Sequence, residues 1–269
     1  AGQEPDDREA SADRKETTKE ADGGIDFTTL KKTGGVSLLY ATQFQIEEYG
    51  VYKMITIRDE RFLLVPDGEE AVANLPADVT MLRQPKKAYV VSTSVMDLLQ
   101  AIDALDDVRL SGTKQEDWYI QAAKDAMADG DMLYAGKYNQ PDYEMIISEN
   151  CDLAIENTMI LHNPEVKEKL EALGIPVLVE RSSYETHPLG RLEWIRLYGV
   201  LFGKEEQADA FYQEQVAKVE PIMKKDATDQ TMAFFYVTSN GSVNVRKPGH
   251  CQNDTACWRQ LFTAGCQRR

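Results

Sequence analysis

What most constrains this chain is a repeated change of hydrophobic period between residues 88 and 180. "AYVVSTSVMDLLQAIDAL" opens on a short β-branched run, turns through Ser92-Thr93-Ser94, and continues with Val95, Leu98, Leu99, Ile102 and Leu105 at helical spacing. That is a strand, a polar turn and an amphipathic helix. The unit recurs in "DMLYAGKYNQPDYEMIISENCDLAIENT", which predicts a strand at 132–135, a Gly/Asn/Pro loop, a helix over 141–148 and a buried strand at Leu153-Ala154-Ile155. In "NPEVKEKLEALGIPVLVERSS", Asn163 suits an N-cap, Pro164 the first helical position and Gly174 the stop, with a strand at 176–179 beyond. Strands alternating with helices demand right-handed crossovers, so the expected fold class is α/β, with a Rossmann-like parallel sheet covered on both faces.

The flanks obey other rules. Residues 36–66, "VSLLYATQFQIEEYGVYKMITIRDERFLLVP", are rich in β-branched and aromatic residues and predict a small antiparallel β meander, with "DGEEAVANLPADV" read as a linker. From Pro188 to about Lys224 runs the longest helical pattern, with Gly203 as its kink or break. "TMAFFYVTSNGSVNVRKPG" then reads as a strand, an Asn-Gly turn and a second strand. The expected organisation is a disordered tether at 1–27, an N-terminal α/β lobe at 28–187, a long connecting helix at 188–226, and the first β-hairpin of a second α/β lobe at 227–249. Residues 250–269 form a tail of a different character.

Composition narrows the function classes. A formal net charge of -15 repels phosphate backbones, and no basic, aromatic-interleaved stripe offsets it, so nucleic acid is not an expected partner. No apolar run approaches the roughly 18 residues of a membrane span. The opening "AGQEPDDREASADRKETTKEADGG" has mixed charge and no apolar period. It suits what remains after an export signal or lipid-bearing Cys is removed, and equally an ordinary solvated N-terminus. No Walker loop, GxSxG elbow, HExxH or GxGxxG is present, so no catalytic residue, cofactor or metal site is assigned and an enzyme is not expected.

Ligands of open parallel sheets collect at the carboxyl ends of the strands. Here those ends carry Ser92-Thr93-Ser94, Gly136-Lys137-Tyr138, Glu156-Asn157-Thr158 and Arg181-Ser182-Ser183-Tyr184. Taken singly, each also serves as an ordinary βα-turn or N-cap residue.

"KAYVVSTSVMDLLQAIDALD", "YAGKYNQPDYEMIISENCDLAIENT", "EVKEKLEALGIPVLVERSSYETHPLGRLEWIRLYGVLFGKEEQADAFY" and "FFYVTSNGSVNVRKPG" resemble, in order, successive elements of the substrate-binding proteins of bacterial ABC importers for iron complexes and cobalamin. The resemblance covers roughly residues 36–249. It implies two α/β lobes joined by a rigid helix, a ligand between them, an extracytoplasmic location, periplasmic or lipid-anchored to the outer face of the cytoplasmic membrane, and delivery to an ABC permease. Glu144, in "PDYEMI", matches the glutamate by which the family's N-terminal lobe docks to the permease, although an acid near a helix N-terminus is favourable in its own right. The ligand implied is an iron chelate such as a siderophore, haem or a corrinoid. Tyr40, Lys137, Tyr138, Arg181, Tyr184 and His187 are expected nearest it with Ser92, Thr93 and Ser94, tyrosines giving flat contact area and cations matching carboxylate or catecholate oxygens. Tyr40 also suits the meander's core, and His187 a helix cap. With only His162, His187 and His250 in the chain, the ligand expected is chelated or macrocyclic rather than a bare metal ion. Two other classes share this sheet architecture: a nitrogenase-like reductase subunit, which needs cluster-ligating cysteines, and a stand-alone α/β interaction domain.

Cys251, Cys257 and Cys266 crowd a tail that follows a chain with one earlier cysteine, Cys151. Codons allowed for residues 250–262, read one base on, encode Ile-Ala-Lys-Met-Ile-Gln-Leu-Ala-Gly-Gly-Asn-Tyr, which resembles the family's next helix and Gly-Gly turn. The tail is therefore expected to be a frameshifted translation and the family's second lobe truncated, leaving weak or no ligand binding. The rival set His250, Cys251, Cys257 and Cys266 matches no usual zinc spacing.

Overall fold

The computed structural model describes residues 24–225, 235–238 and 240–245. The expectations for residues 1–23 and for the tail from His250 lie outside the described residues. Residues 24–27, assigned to the tether, are ordered: Ile25–Asp26 pair with Val72–Ala73, and Ile25 and Phe27 pack on an apolar cluster. Two apolar side chains in an otherwise polar stretch are enough to dock its end.

β1 (Phe44–Tyr49), β2 (Tyr52–Ile57) and β3 (Glu60–Val65) form the expected antiparallel meander. Two features depart from expectation. Residues 36–43 are not strand but a strap leading into it, and the stretch read as a linker runs straight into β4 (Val79–Arg83), which pairs parallel to β3. Alternation explains why the sheet is stable: Phe44, Ile46, Ile55, Ile57, Phe62 and Leu64 face the main core, while Tyr52, Met54, Leu63 and Val65 face a second cluster.

The parallel sheet comprises β5 (Ala88–Val90), β6 (Val108–Ser111), β7 (Leu133–Tyr134), β8 (Leu153–Glu156) and β9 (Val177–Val179), in the order β7-β6-β5-β8-β9. All four pairings are parallel. α1 (Thr93–Ala101), α2 (Gln121–Asp129), α3 (Tyr143–Ser148) and α4 (Pro164–Ala172) lie between successive strands. β6 and α2 were not anticipated: "VRLS" is a short run interrupted by an arginine, and "QAAKDAMAD" buries only Ala123 fully.

The helical stretch after Pro188 is a hairpin rather than one rod. α5 (Pro188–Phe202) starts with His187 Nδ1 accepting the Leu189 N–H and ends at Gly203, whose φ of 65° lies where a side chain would strain the backbone. α6 (Glu205–Met223) returns along it, with Arg196 of α5 over the Tyr212 ring of α6 at 4.7 Å. The sequence reading gave the whole stretch a connecting role. In the structure α5 is the centre of the core: Trp194, Ile195, Leu197, Tyr198 and Leu201 are fully buried between meander, parallel sheet and α1. Each such side chain contributes about 1.5–3 kcal/mol, so α5 belongs to the lobe. Beyond it, β10 (Phe235–Val237) and β11 (Val243–Val245) form the expected antiparallel hairpin.

Candidate ligand-binding site

Strand order reverses between β5 and β8, and there the connections leaving the two strands run in opposite directions, the position at which open parallel sheets hold their ligands. Ser92-Thr93-Ser94 leave β5, Glu156-Asn157-Thr158 leave β8, and Glu180 and Arg181 leave the neighbouring β9. Ser92 occupies the N-cap position of α1 without capping it. Its hydroxyl donates instead to Glu180 Oε1 at 3.0 Å and lies 2.9 Å from Ser94 Oγ, which is itself 3.4 Å from the same oxygen. The Ser182 N–H donates to Glu180 Oε2 at 2.8 Å. These serines therefore do more than start a helix: they ligate a carboxylate that is almost wholly buried.

The opposite face of the same edge is built differently. Glu156 follows Ala154 on the face packed by Tyr89, Ile160, Val166 and Val179, and it is fully buried. Among the described residues no group hydrogen-bonds either of its oxygens. Burial without a partner pushes its carboxyl up to about 8, so it is chiefly protonated near neutrality.

A short turn, Ser182–Tyr184, carries the chain from β9 to α5 and sets two ring contacts at the edge. The Arg181 guanidinium lies over the Tyr184 ring at 4.7 Å, and Arg181 Nε is buried without a hydrogen-bond partner among the described residues. Tyr40, on the strap, stacks on His187 with ring centroids 4.2 Å apart and planes 18° apart. Burial lowers the pKa of His187, favouring the neutral ring. Between the starts of α1 and α5 lies a groove of about 380 Å³ lined by Ser94, Asp97, Ser182, Ser183, Pro188 and Arg191, among others.

Of the residues expected nearest a ligand, Ser92, Ser94, Arg181, Tyr184, His187 and Tyr40 gather around this end of the sheet. Thr93 is exposed at the first turn of α1. Lys137 and Tyr138 stand elsewhere, on the hairpin after the edge strand β7: Lys137 is exposed, and Tyr138 packs on the cluster that buries Glu156. Both bland readings hold as well, since Tyr40 touches the main core and His187 caps α5. Glu144 is exposed in the first turn of α3. Cys151 is largely buried, and that burial pushes its thiol up to about 12, the behaviour of a packing residue. The carboxylates Glu180, Glu185 and Glu193 were missed by sequence reasoning. The available signal was an acid at a position that periodicity assigns to the interior: Glu180 directly after "VLV" and Glu193 directly before Trp194.

A parallel sheet with polar groups at its switch point places a ligand at the carboxyl edge without saying which class of protein uses it. Residues 89–248, more than half of the chain, match the periplasmic binding protein family, and the chain belongs to that family. The match begins at β5, leaving the meander outside it. The chain is 24% identical over 135 residues, 48% of its length, to an uncharacterized lipoprotein of Methanocaldococcus jannaschii, 32% of which is covered. The iron uptake ABC transporter substrate-binding protein PiuA of Streptococcus pneumoniae shares the fold, with a TM-score of 0.50 and 11% identity over 82% of this chain and 62% of that one. The petrobactin-binding protein YclQ of Bacillus subtilis aligns with a TM-score of 0.48 and 17% identity, over 62% of this chain and 56% of its own. The chain thus spans about a third of the curated relative and about six-tenths of these solved structures. The family is one of solute-binding proteins rather than enzymes.

Proposed function

We propose that this chain is the extracytoplasmic solute-binding part of an ABC importer, receiving an iron chelate, haem or corrinoid against the carboxyl edge of its parallel sheet and passing it to a membrane permease. One observation carries the reading: Ser94, Arg181, Tyr184, His187 and Tyr40, from three separate stretches of chain, supply hydroxyls, a cation and flat rings around one edge. Oxygen-rich chelates offer acceptor oxygens to such donors and broad faces to such rings. Family membership favours this over a reductase subunit, and a lipoprotein relative supports an extracytoplasmic location. Within the proposal, residues 28–187 with α5 form one ligand-binding lobe, α6 leads out of it toward the residues 227–249 of a second, and the exposed Glu144 meets the permease.

The test is a titration of the isotope-labelled full chain with gallium(III) tris-catecholate, gallium(III) trihydroxamate, gallium protoporphyrin and cyanocobalamin, all diamagnetic and so readable by NMR. Shift perturbation detects binding even near a Kd of about 1 mM, or roughly −4 kcal/mol. One class should move the amides of residues 92–94 and 181–187 and spare those of the outer meander face, and Arg181→Ala should weaken it about ten-fold. Saturation of the panel with no movement at those residues would overturn the proposal.

A further inference from the structure

Five side chains and one glycine in "ETHPLGRLEWIR", residues 185–196, engage the strap of residues 36–43 and Phe44 at its end. Fully buried Glu193 accepts three consecutive backbone N–H groups: Leu39 at 2.9 Å, Tyr40 at 2.8 Å and Ala41 at 2.8 Å. Glu185, equally buried, takes over for the next two, accepting from Thr42 N at 2.8 Å and Gln43 N at 3.0 Å, from the Thr42 hydroxyl at 3.0 Å and from Trp194 Nε1 at 3.0 Å. Arg196 bonds both the Ser37 carbonyl at 2.9 Å and Glu193 at 3.2 Å. Gly190 completes the seat: a Cβ there would stand 2.8 Å from the Tyr40 carbonyl oxygen. Trp194 meets Phe44 edge-on at 4.9 Å, and His187 stacks on Tyr40.

Five successive backbone donors held by two buried carboxylates are far more than is needed to tether a loop, since each charge-assisted bond is individually strong. What they fix is the position of Tyr40 over His187. The ring of His187 is fixed too, because its Nδ1 accepts the Leu189 N–H and its remaining proton therefore sits on Nε2. In that tautomer Nε2 is a hydrogen-bond donor and offers no lone pair to a metal.

Resting on the function proposed above, we infer that Glu193 and Glu185 are positioning residues that hold the strap as a preorganised wall of the ligand site, so that the Tyr40–His187 pair presents a flat face and one N–H donor to an acceptor oxygen of the bound chelate. Specificity then comes from an oxygen of the ligand shell, not from coordination of the metal by His187.

The experiment reads the His187 ring by NMR in the full chain. Wild-type protein should show ring protons shifted upfield by Tyr40, lost in Tyr40→Ala, and a long-range proton–nitrogen pattern of an Nε2–H tautomer. Glu193→Gln, which turns an amide NH2 toward backbone donors, should abolish the upfield shift while the fold persists, and should weaken the responsive panel ligand about ten-fold. Gly190→Ala serves if Glu193→Gln does not fold: its Cβ pushes on the Tyr40 carbonyl and displaces the strap while both carboxylates stay in place, so a lost ring shift in a folded protein reads the strap alone. An unmoved His187 signal in either folded variant, or an Nδ1–H tautomer in the wild type, overturns the inference and leaves the proposed function standing. If the ring behaves as expected and no panel ligand touches it, the ligand-facing part falls together with that function.

Discussion

Glu180 and Glu156 end adjacent strands of one sheet, the Glu180 N–H even donating to the Glu156 carbonyl at 2.8 Å, yet they occupy opposite faces and opposite chemical conditions. Glu180 is ligated by two serine hydroxyls and a backbone N–H. Glu156 is embedded in apolar side chains with no partner among the described residues. Position in the sheet places a carboxylate, and its surroundings decide whether it is an anchor or a liability. A satisfied carboxylate organises the loops that bond it, whereas an unsatisfied one opposes folding whenever it is charged.

The sharpest way to break the comparison is to remove the satisfied member. Glu180→Ala should destabilise by about 3 kcal/mol or more, because three donors lose their acceptor together. Urea unfolding checks it, and a change below about 1 kcal/mol would mean the serines have other partners.

pH separates the two faces next. The Glu156 carboxyl titrates near 4.5 in the unfolded chain and about 8 in the folded one, so between those values the folded state holds the extra proton. Its contribution to stability is full below about pH 4.5, falls as pH rises through that window, and is gone above about 8. Glu156→Gln should flatten this fall, and Glu156→Met should match or exceed wild-type stability at pH 8 by about 1 kcal/mol. Denaturation midpoints at pH 5 and pH 8 supply the measurement. A slope unchanged in Glu156→Gln would show that the carboxyl finds a partner.

The smallest effect sharpens the satisfied side. Ser94→Ala removes one outer hydroxyl from Glu180 while Ser92 and the Ser182 N–H remain, so a loss of about 0.5–1.5 kcal/mol is expected. A loss as large as that of Glu180→Ala would make Ser94 the principal ligand.

Much of the architecture was legible in the sequence for reasons of period and punctuation. β5, β8 and β9 are short, largely apolar runs, Pro164 and Pro188 start helices, and Gly203 stops one. β4 and β6 were not legible, because "VTMLR" and "VRLS" become strands only through partners already in place. The site was partly legible by the same logic. Strand ends locate Ser92–Ser94 and Arg181–Tyr184 along the chain, but nothing local indicates that Tyr40, 147 residues before His187, would stack on it.

Period and punctuation within a few residues of chain dictated the order of β5, α1, β8, α4 and β9, the polar residues at their strand ends, and the starts of α4 and α5. Which carboxylates are satisfied, the place of α5 inside the core, and the meeting of Tyr40 and His187 are set by long-range packing alone. Burial and long-range hydrogen bonding belong to no single segment: the carboxyl group of Glu156 and that of Glu180 are chemically alike, and they differ only in what the rest of the chain brings to each face.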